Sequence, residues 1–201
     1  MTRYWLIRHG EPAEETRGRC YGSLNVGLSD RGREQMRRVA EVARPGWFDC
    51  VYSSPARRAL ESARILAAAA GCAVRTAGDL RELHFGDFEG LTYEEAAARD
   101  PELYQRWMEA PTEARFPNGE SFREMQARVM GAFEAIRREH EGETVAIVSH
   151  GGVNRILLAW ALGMPDEKLF RIAQRYGAVN LLRMVEGTPV VEAMNAHRLT
   201  Y

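Results

Sequence analysis

The stretch TVAIVSHGG, residues 144–152, contains the clearest candidate for a buried strand in this 201-residue sequence. Val145 to Val148 are apolar without a break, a pattern typical of a strand that is covered on both faces of a parallel sheet. A second run of this kind, YWLI at residues 4–7, is followed directly by RHG. The sequence therefore predicts two buried strands whose carboxyl ends each lead to a histidine and a glycine.

Strand-like and helix-like segments alternate along the rest of the chain. Ser29 is a candidate helix N-cap, and Ser121 opens the capping-box pattern SFRE. The predicted helices run from Ser29 to about Arg44, from Pro55 to about Ala70, from Ser121 to about His140 and from Val153 to Leu162, and further strands are predicted at 50–53, 73–76, 178–185 and 190–193. This alternation predicts an α/β three-layer sandwich whose mostly parallel central sheet is covered by helices on both faces.

We interpret residues 1–201 as a single domain, because no internal repeat, low-complexity segment or linker interrupts the pattern. A broken segment at about residues 80–117 is predicted to be an insertion that folds over one end of the sheet. Its aromatic residues either form a wall for a base or ring of a ligand or simply pack on one another. They are Phe85, Phe88, Tyr93, Tyr104, Trp107 and Phe116.

The composition argues against several classes of protein. The chain has 27 Lys and Arg residues against 28 Asp and Glu residues, and a formal net charge of -1. Without a basic field, we expect no nucleic-acid partner and no membrane partner. No stretch approaches the roughly 20 apolar residues of a membrane span, and the apolar run near the N-terminus is too short for a signal peptide. Three cysteines without a C-x-x-C pair indicate free thiols, so we expect a cytoplasmic protein.

The strand ends concentrate groups that bind anions. Ligands of open α/β sheets bind at the carboxyl ends of the strands, where His9 and His150 are expected to meet. A third strand end, in the stretch YSSPARRA, brings Arg57 and Arg58 to the same level. Together with the backbone amides of Gly10, Gly151 and Gly152, these side chains predict a pocket for a phosphoryl group.

Each of these features also has a structural explanation when taken alone. A histidine near a strand end is commonly structural, paired arginines commonly lie on a solvated helix face, and glycines commonly form turns. The five histidines show no H-x-x-E-H or H-x-x-x-H spacing, so we predict no metal site and no cofactor. His84 and His197 are interpreted as structural or surface residues.

The motifs resemble those of the histidine phosphatase (phosphoglycerate mutase-like) superfamily. LIRHGEP resembles the RHG signature of that family, and VSHGG resembles the block of its second histidine. SSPARRALESA places the family's arginine at Arg58 rather than Arg57, and LRELHFGDFEG places its acidic residue at Glu82. These blocks occur in the family's order, and YGAVNLL resembles its late strand. The resemblance implies a phosphoglycerate mutase-like fold.

The resemblance also implies a metal-independent phosphatase that works through a phosphohistidine. His9 is the expected nucleophile, while Arg8, Arg58 and a protonated His150 hold the phosphoryl oxygens. Glu82 is expected to protonate the leaving alcohol and then to activate water. The residues expected to bind substrate are Arg8, Gly10, Tyr21, Gly22, Arg58, Glu82 and Gly151.

The sequence motifs favour one branch of the family but leave other activities within it open. Glu94 and Glu95 in EGLTYEEAA would repel a second phosphate, which favours a phosphatase over a mutase. RHGEP, CYG, LSDRG and FPNGESF most resemble the α-ribazole-5′-phosphate phosphatases of cobalamin nucleotide-loop assembly. Alternatives are a phosphoglycerate mutase, a fructose-2,6-bisphosphatase-like or broad-specificity phosphatase, a protein phosphohistidine phosphatase, and a non-catalytic phosphate-binding module. We expect a small-molecule phosphomonoester as substrate, and the sequence leaves a homodimer open.

Overall fold

The computed structural model describes residues 1–196. A six-stranded sheet forms the centre of the molecule, with strand order β3-β2-β4-β1-β5-β6. The strands are β1 (Arg3–Arg8), β2 (Cys50–Ser53), β3 (Val74–Thr76), β4 (Thr144–Ser149), β5 (Val179–Val185) and β6 (Thr188–Ala196). The first four are mutually parallel, whereas β5 and β6 run antiparallel at one edge. The predicted mostly parallel sheet is confirmed, with an antiparallel edge that the alternation did not predict.

Helices cover both faces of this sheet. They are α1 (Asp30–Ala40), α2 (Arg57–Ala70), α3 (Tyr93–Arg99), α4 (Pro101–Glu109), α5 (Phe122–Glu139) and α6 (Gly151–Ala161). Strand β1 shows how the layers form, because Tyr4 and Leu6 face the core beneath α5 and α6, whereas Trp5 and Ile7 face the core beneath α1 and α2. The alternating side chains of one fully buried strand thus serve two cores, which confirms the three-layer sandwich.

The predicted helix starts are mostly correct, and the differences have local causes. Ser29 Oγ accepts the amide of Gly32, as expected of an N-cap, and both bonds of the Ser121 capping box are present. Helix α1 ends at Ala40 rather than near Arg44, and the chain turns at residues 41–42, ahead of Pro45. Helix α6 begins at Gly151, directly after β4, rather than at Val153.

The segment between β3 and α5 builds a small core of its own. Phe88 and Phe116 are each 1% exposed, and the Trp107 ring packs against both of them. For these aromatic side chains, packing on one another is therefore the correct alternative. The amide of Cys20 donates to the carbonyl of Leu91, which ties the segment to the loop that follows β1.

Two sequence expectations concern features away from the cores. Within residues 1–196, no helix is long and apolar enough to cross a membrane. Cys20, Cys50 and Cys72 are free thiols. His197, which was interpreted as structural or at the surface, lies outside the described residues.

Backbone segments approach each other closely where α1 meets the chain after β1. A Cβ on Gly32 would lie 2.0 Å from the carbonyl oxygen of Glu11, and a Cβ on Gly10 would lie 2.3 Å from the carbonyl oxygen of Gly32. Neither contact can be relieved by a side-chain rotation, because both partners are backbone atoms. Glycine at these two positions is therefore required to place α1 against the residues that follow β1.

We expect Gly32→Ala to destabilise the fold. This is the opposite of what helix propensity alone predicts, because alanine is favoured over glycine in a helix by about 1 kcal/mol. The added methyl group would force the 10–11 backbone away from α1, and overpacking typically costs about 1–3 kcal/mol. Gly131→Ala in α5 is the matched control, because its Cβ would meet nothing within 4 Å. It should raise the free energy of unfolding, measured by urea denaturation. Stabilisation by both substitutions would contradict the close approach at Gly32.

Candidate active site

Three side chains that follow three parallel strands meet at the carboxyl end of the sheet. His9 directly follows β1, His150 directly follows β4, and Arg58 lies in the first turn of α2, beyond β2. His9 is 1% exposed, and Arg58 and His150 are fully buried. The centroids of the two imidazole rings are 5.1 Å apart. The structure thus brings together residues that are distant in the sequence.

His9 presents an unprotonated ring nitrogen to the side chain of Arg58. Its Nδ1 lies 2.7 Å from the carbonyl oxygen of Gly10, which can only accept, so Nδ1 carries the proton. Its Nε2 accepts a hydrogen bond from Nε of Arg58 at 3.3 Å. Burial, together with the charges of Arg58 and Arg8, holds the pKa of His9 well below its usual range. A neutral imidazole with its lone pair on Nε2 is a nucleophile.

Arg58 holds the loop after β1 and both histidines at once. Its Nη1 donates to the carbonyl of Leu24 at 2.8 Å, and its Nη2 donates to the carbonyl of Gly22 at 2.9 Å. Nη2 also lies 3.3 Å from Nδ1 of His150. A guanidinium is suited to this position because its planar fork serves several acceptors and stays charged.

Arg8 approaches the pocket from the last residue of β1. Its Nη1 donates to the carbonyl of Gln174, and its guanidinium lies 4.1 Å above the centre of the Tyr176 ring. Its Nε is buried and has no hydrogen-bond partner among the described residues. That donor lies 3.4 Å from the position that a Cβ on Gly151 would occupy, at the first residue of α6. An oxyanion at this helix N-terminus would satisfy it.

His150 is neutral here, whereas the sequence analysis expects it to be protonated. Nδ1 accepts from Arg58, so the ring proton is on Nε2, which donates to Oγ of Ser54 at 2.8 Å. Burial, then the charges of Arg58 and His9, hold the pKa of His150 well below its usual range. The negative charge of a phosphoryl group would offset that of the arginines, so we expect protonation of His150 to accompany anion binding.

Glu82 reaches the site from the coil between β3 and α3. Its Oε2 accepts the amide of Gly152 at 3.0 Å, and its Oε1 accepts the amide of Leu83 at 3.0 Å. A Cβ on Gly152 would lie 2.3 Å from Oε1, so only glycine leaves room for the carboxylate at the start of α6. The structure thus places the one predicted acidic group beside the helix that follows His150.

The backbone amides expected to bind phosphate are partly engaged within the protein. The Gly10 amide donates to Oγ of Ser62 at 3.1 Å, and the Gly152 amide is bonded to Glu82. Gly151, at the first position of α6, has an amide with no partner within its helix. Gly22 contributes its carbonyl to Arg58, and its Cα packs on the Leu83 carbonyl. Direct substrate contacts of Gly10, Gly22 and Gly151 stay predictions.

Two tyrosines close the pocket above the arginines. The hydroxyl groups of Tyr21 and Tyr176 lie 2.8 Å apart, and the Tyr21 hydroxyl accepts from Nη2 of Arg8 at 3.4 Å. The guanidinium of Arg58 lies 5.0 Å from the centre of the Tyr21 ring. The Tyr176 ring also lies 5.7 Å from that of His9, which is 1% exposed, so we expect this bridge to restrict access to His9.

Sequence reasoning missed Tyr176 and the polar network behind Arg8. Gln174 holds Arg8 through its carbonyl, while its side chain bonds to Asn154 at 3.0 Å and to Asn180 at 2.8 Å. Asn180 in turn donates to the carbonyl of Leu6 in β1. The stretch YGAVNLL contained Tyr176 and Asn180, but only as part of a predicted strand.

The remaining candidates lie outside this arrangement. Arg57 forms an exposed ion pair with Glu61, and His140 bonds to Tyr52 and Glu143. Within residues 1–196, no three His, Cys, Asp or Glu side chains are grouped as they would be around a metal ion.

The comparisons with known proteins agree on one family. The profile described as "Histidine phosphatase superfamily (branch 1)" matches residues 4–197. Phosphoglycerate mutase-like protein 4 of Arabidopsis thaliana is 38% identical over 187 residues, which are 90% of this chain and 79% of that protein. Phosphoserine phosphatase 1 of Hydrogenobacter thermophilus is 30% identical over 195 residues, which are 97% of this chain and 92% of that protein.

Two further comparisons concern a longer relative and a solved structure. A bifunctional protein of Mycobacterium tuberculosis is 40% identical over 85% of this chain, but the chain spans only 47% of that protein. Among solved structures, the α-ribazole phosphatase of Shigella flexneri superposes with a TM-score of 0.90 at 29% identity, covering 99% of this chain and 98% of that one.

We expect both imidazoles of the free protein to be neutral at pH 7, because burial and the guanidinium charges lower the pKa values of His9 and His150. Binding of orthovanadate should protonate His150 by supplying the opposite charge. The ¹⁵N chemical shifts of the ring nitrogens, followed through a pH titration with and without orthovanadate, measure both states. A His150 that titrates near its usual pKa of about 6.5 in the free protein would contradict the electrostatics described above.

Tyr176→Phe and Tyr21→Phe each remove the same hydroxyl bridge, and each should tighten orthovanadate binding. A hydrogen bond of about 0.5–1.5 kcal/mol corresponds to about a 2- to 10-fold lower Kd. The double variant should bind no tighter than either single variant, since one interaction is lost only once. Tyr93→Phe, at an exposed position of α3, is the control. Weaker binding by the single variants would mean that the hydroxyls bind the oxyanion directly.

Proposed function

The chain belongs to branch 1 of the histidine phosphatase superfamily, and we propose that it hydrolyses small phosphomonoesters through a phosphohistidine on His9. The observation that carries the proposal is the neutral Nε2 of His9, which faces a buried pocket beside Arg58 and His150. The donors of this pocket match the equatorial oxygens of a phosphoryl group in transfer. A nearby carboxylate, on Glu82, is bonded at the start of α6.

In the first step, Nε2 of His9 attacks phosphorus as the bond to the ester oxygen breaks. Glu82, as the carboxylic acid, gives its proton to that oxygen, and the alcohol leaves. The carbonyl of Gly10 keeps the proton on Nδ1 and stabilises the positive charge that develops on the ring. Proton donation by a general acid such as Glu82 typically raises the reaction rate by about 10²–10⁴-fold.

In the second step, water attacks the phosphohistidine and the phosphorus–nitrogen bond breaks. The Glu82 carboxylate takes a proton from this water, which returns it to the acid form needed for the next ester. Inorganic phosphate leaves, and His9 is again neutral. The two steps balance without an external donor or acceptor of electrons.

Arg8, Arg58 and His150 act on the charge of the phosphoryl oxygens in both steps. Fixed donors in a pocket without water cost no reorganisation when the transition state forms, and removing one typically costs about 10²–10³-fold in rate. The Nε of Arg8, which has no hydrogen-bond partner within residues 1–196, is a donor for one of these oxygens, and Nδ1 of His150 becomes a second donor when it gains a proton on anion binding.

Within this reaction class, we favour α-ribazole 5′-phosphate as the substrate, which would place the enzyme in cobalamin assembly in the cytoplasm. The sequence motifs and the structural similarity to an α-ribazole phosphatase support this choice. Phosphoserine is the second candidate, supported by the similarity to a phosphoserine phosphatase along almost the whole chain. Mutase and fructose-2,6-bisphosphatase activities are alternatives that the same substrate panel tests.

We expect phosphatase activity that persists in EDTA and is lost in His9→Ala, together with the acid-labile phosphoenzyme. Initial rates would be measured on α-ribazole 5′-phosphate, phosphoserine, fructose 2,6-bisphosphate, 3-phosphoglycerate and p-nitrophenyl phosphate. The order of kcat/KM values identifies the preferred substrate. No turnover of any of these esters would leave the phosphate-binding module as the better interpretation.

Arg58→Met and Arg57→Met form a matched pair for the same assay. Arg58→Met should lower kcat/KM by about 10²–10³-fold, as the loss of a transition-state donor does. Arg57→Met should leave kcat/KM within about twofold, because it removes only an exposed ion pair with Glu61. Equal losses would show that the pocket is not organised around Arg58.

A further inference from the structure

The coil that carries Glu82 is fastened by Arg128 of α5. Nη1 of Arg128 donates to the carbonyl oxygens of Asp79 and Arg81, both at 2.7 Å. Nη2 donates to the carbonyl oxygen of Glu82 itself at 3.0 Å. One guanidinium therefore holds three carbonyl groups within four residues of chain, and the last of them belongs to the candidate acid.

Glu120 completes this arrangement on the other side of Glu82. Its carboxylate bonds to both Nε and Nη2 of Arg128, the former at 3.0 Å. Its Oε1 also accepts the amide of His84 at 3.0 Å, and its own amide donates to the His84 carbonyl at 3.0 Å. The side chains of Arg128 and Glu120 are only 14% and 17% exposed.

The coil needs such anchors because it has no regular structure of its own. Residues 81–85 lie between two short 3₁₀ turns and belong to no strand or helix. The bonds to the carbonyls of Asp79 and Arg81 are exposed to solvent, whereas the bond to the Glu82 carbonyl is partly buried and supplies a donor that regular structure would otherwise provide. Only arginine, with five donors in a rigid fork, can serve three carbonyls and a carboxylate together.

We propose that Arg128 and Glu120 are positioning residues for the general acid, a role that rests on the proposed function of Glu82. The Glu82 carboxylate is held by two amides, those of Gly152 and of its neighbour Leu83. The place of its acidic proton therefore depends on the backbone at residues 79–84, which the Arg128–Glu120 pair fixes. A displacement of 1 Å at a catalytic group can cost about 10²-fold in rate.

The test compares leaving groups that need an acid with one that does not. Phosphoserine expels a strongly basic alkoxide unless it is protonated, whereas p-nitrophenyl phosphate expels a weakly basic phenolate. Arg128→Met should lower kcat/KM for phosphoserine by about 10- to 100-fold and for p-nitrophenyl phosphate by less than about threefold. This ratio separates a misplaced acid from a general loss of folded protein, which would lower both values equally.

Further variants isolate the role of the pair. Arg128→Met combined with Glu82→Gln should be no slower on phosphoserine than Glu82→Gln alone, because an absent acid cannot be misplaced. Glu120→Gln should cause a smaller selective loss than Arg128→Met, since its amide oxygen can still accept from Nη2 of Arg128 and from His84, whereas its amide nitrogen cannot accept from Nε. Arg137→Met is the control, as Arg137 lies in the same helix and pairs with Glu134.

The failures of the two proposals are distinguishable. If Glu82→Gln slows both esters equally, Glu82 is not the acid, and the positioning role is overturned with it. If Glu82→Gln slows phosphoserine selectively but Arg128→Met and Arg128→Lys slow both esters equally, only the positioning role is overturned. Selective loss in both Glu82→Gln and Arg128→Met, with partial recovery in Arg128→Lys, supports the proposal.

Discussion

Positive charge is buried in the phosphoryl pocket without a carboxylate bonded to it. Arg58 is fully buried and, within residues 1–196, neither Arg8 nor Arg58 forms an ion pair. Removing such a charge from water costs several kcal/mol, so other groups must offset the loss. Backbone carbonyls of Gly22, Leu24 and Gln174 supply part of this compensation, as do the tyrosine rings above both guanidinium groups. The carboxylates of Glu82 and Glu89 are further negative charges near Arg58, and burial beside the guanidinium groups holds the pKa values of both histidines well below their usual range.

Those carbonyl acceptors are in place only because the backbone packs unusually tightly around the pocket. Gly22 lies so close to the Leu83 carbonyl that a Cβ would be 1.7 Å from it, and Gly10 and Gly32 meet in the same way. The first contact joins the loop that accepts from Arg58 to the coil that carries Glu82. Arg58 and Glu82 are therefore parts of one packed unit rather than two independent sites.

The sequence predicts the parts of this unit that have local signals. Buried strands appear as unbroken apolar runs, helix starts as capping residues, and the histidines of both motifs stand directly after strands, so their meeting follows from the parallel sheet. The antiparallel edge, the bridge between Tyr21 and Tyr176, and the bonds from Arg128 to the coil have no such signal. They join segments whose spacing in the sequence is not periodic, and they depend on tertiary packing.

The histidines and Arg58 are placed by strand ends, whereas Glu82 lies in an irregular coil, and this difference explains why the fold of the family does not determine the substrate. His9, Arg58 and His150 are placed by strand ends, whose register is set by the two hydrophobic cores, so the phosphoryl half of the site is tied to the fold. Glu82 instead comes from an irregular coil between β3 and α3, which is held by Arg128 of α5 and by Glu120. That coil continues into the small aromatic core around Trp107. A change that reshapes this segment for a different alcohol also moves Glu82, unless Arg128 and Glu120 keep residues 79–84 in place. With Arg128 and Glu120 in place, the sequence of the segment after Glu82 could vary while the Glu82 carboxylate stays aligned with Arg58 and His150.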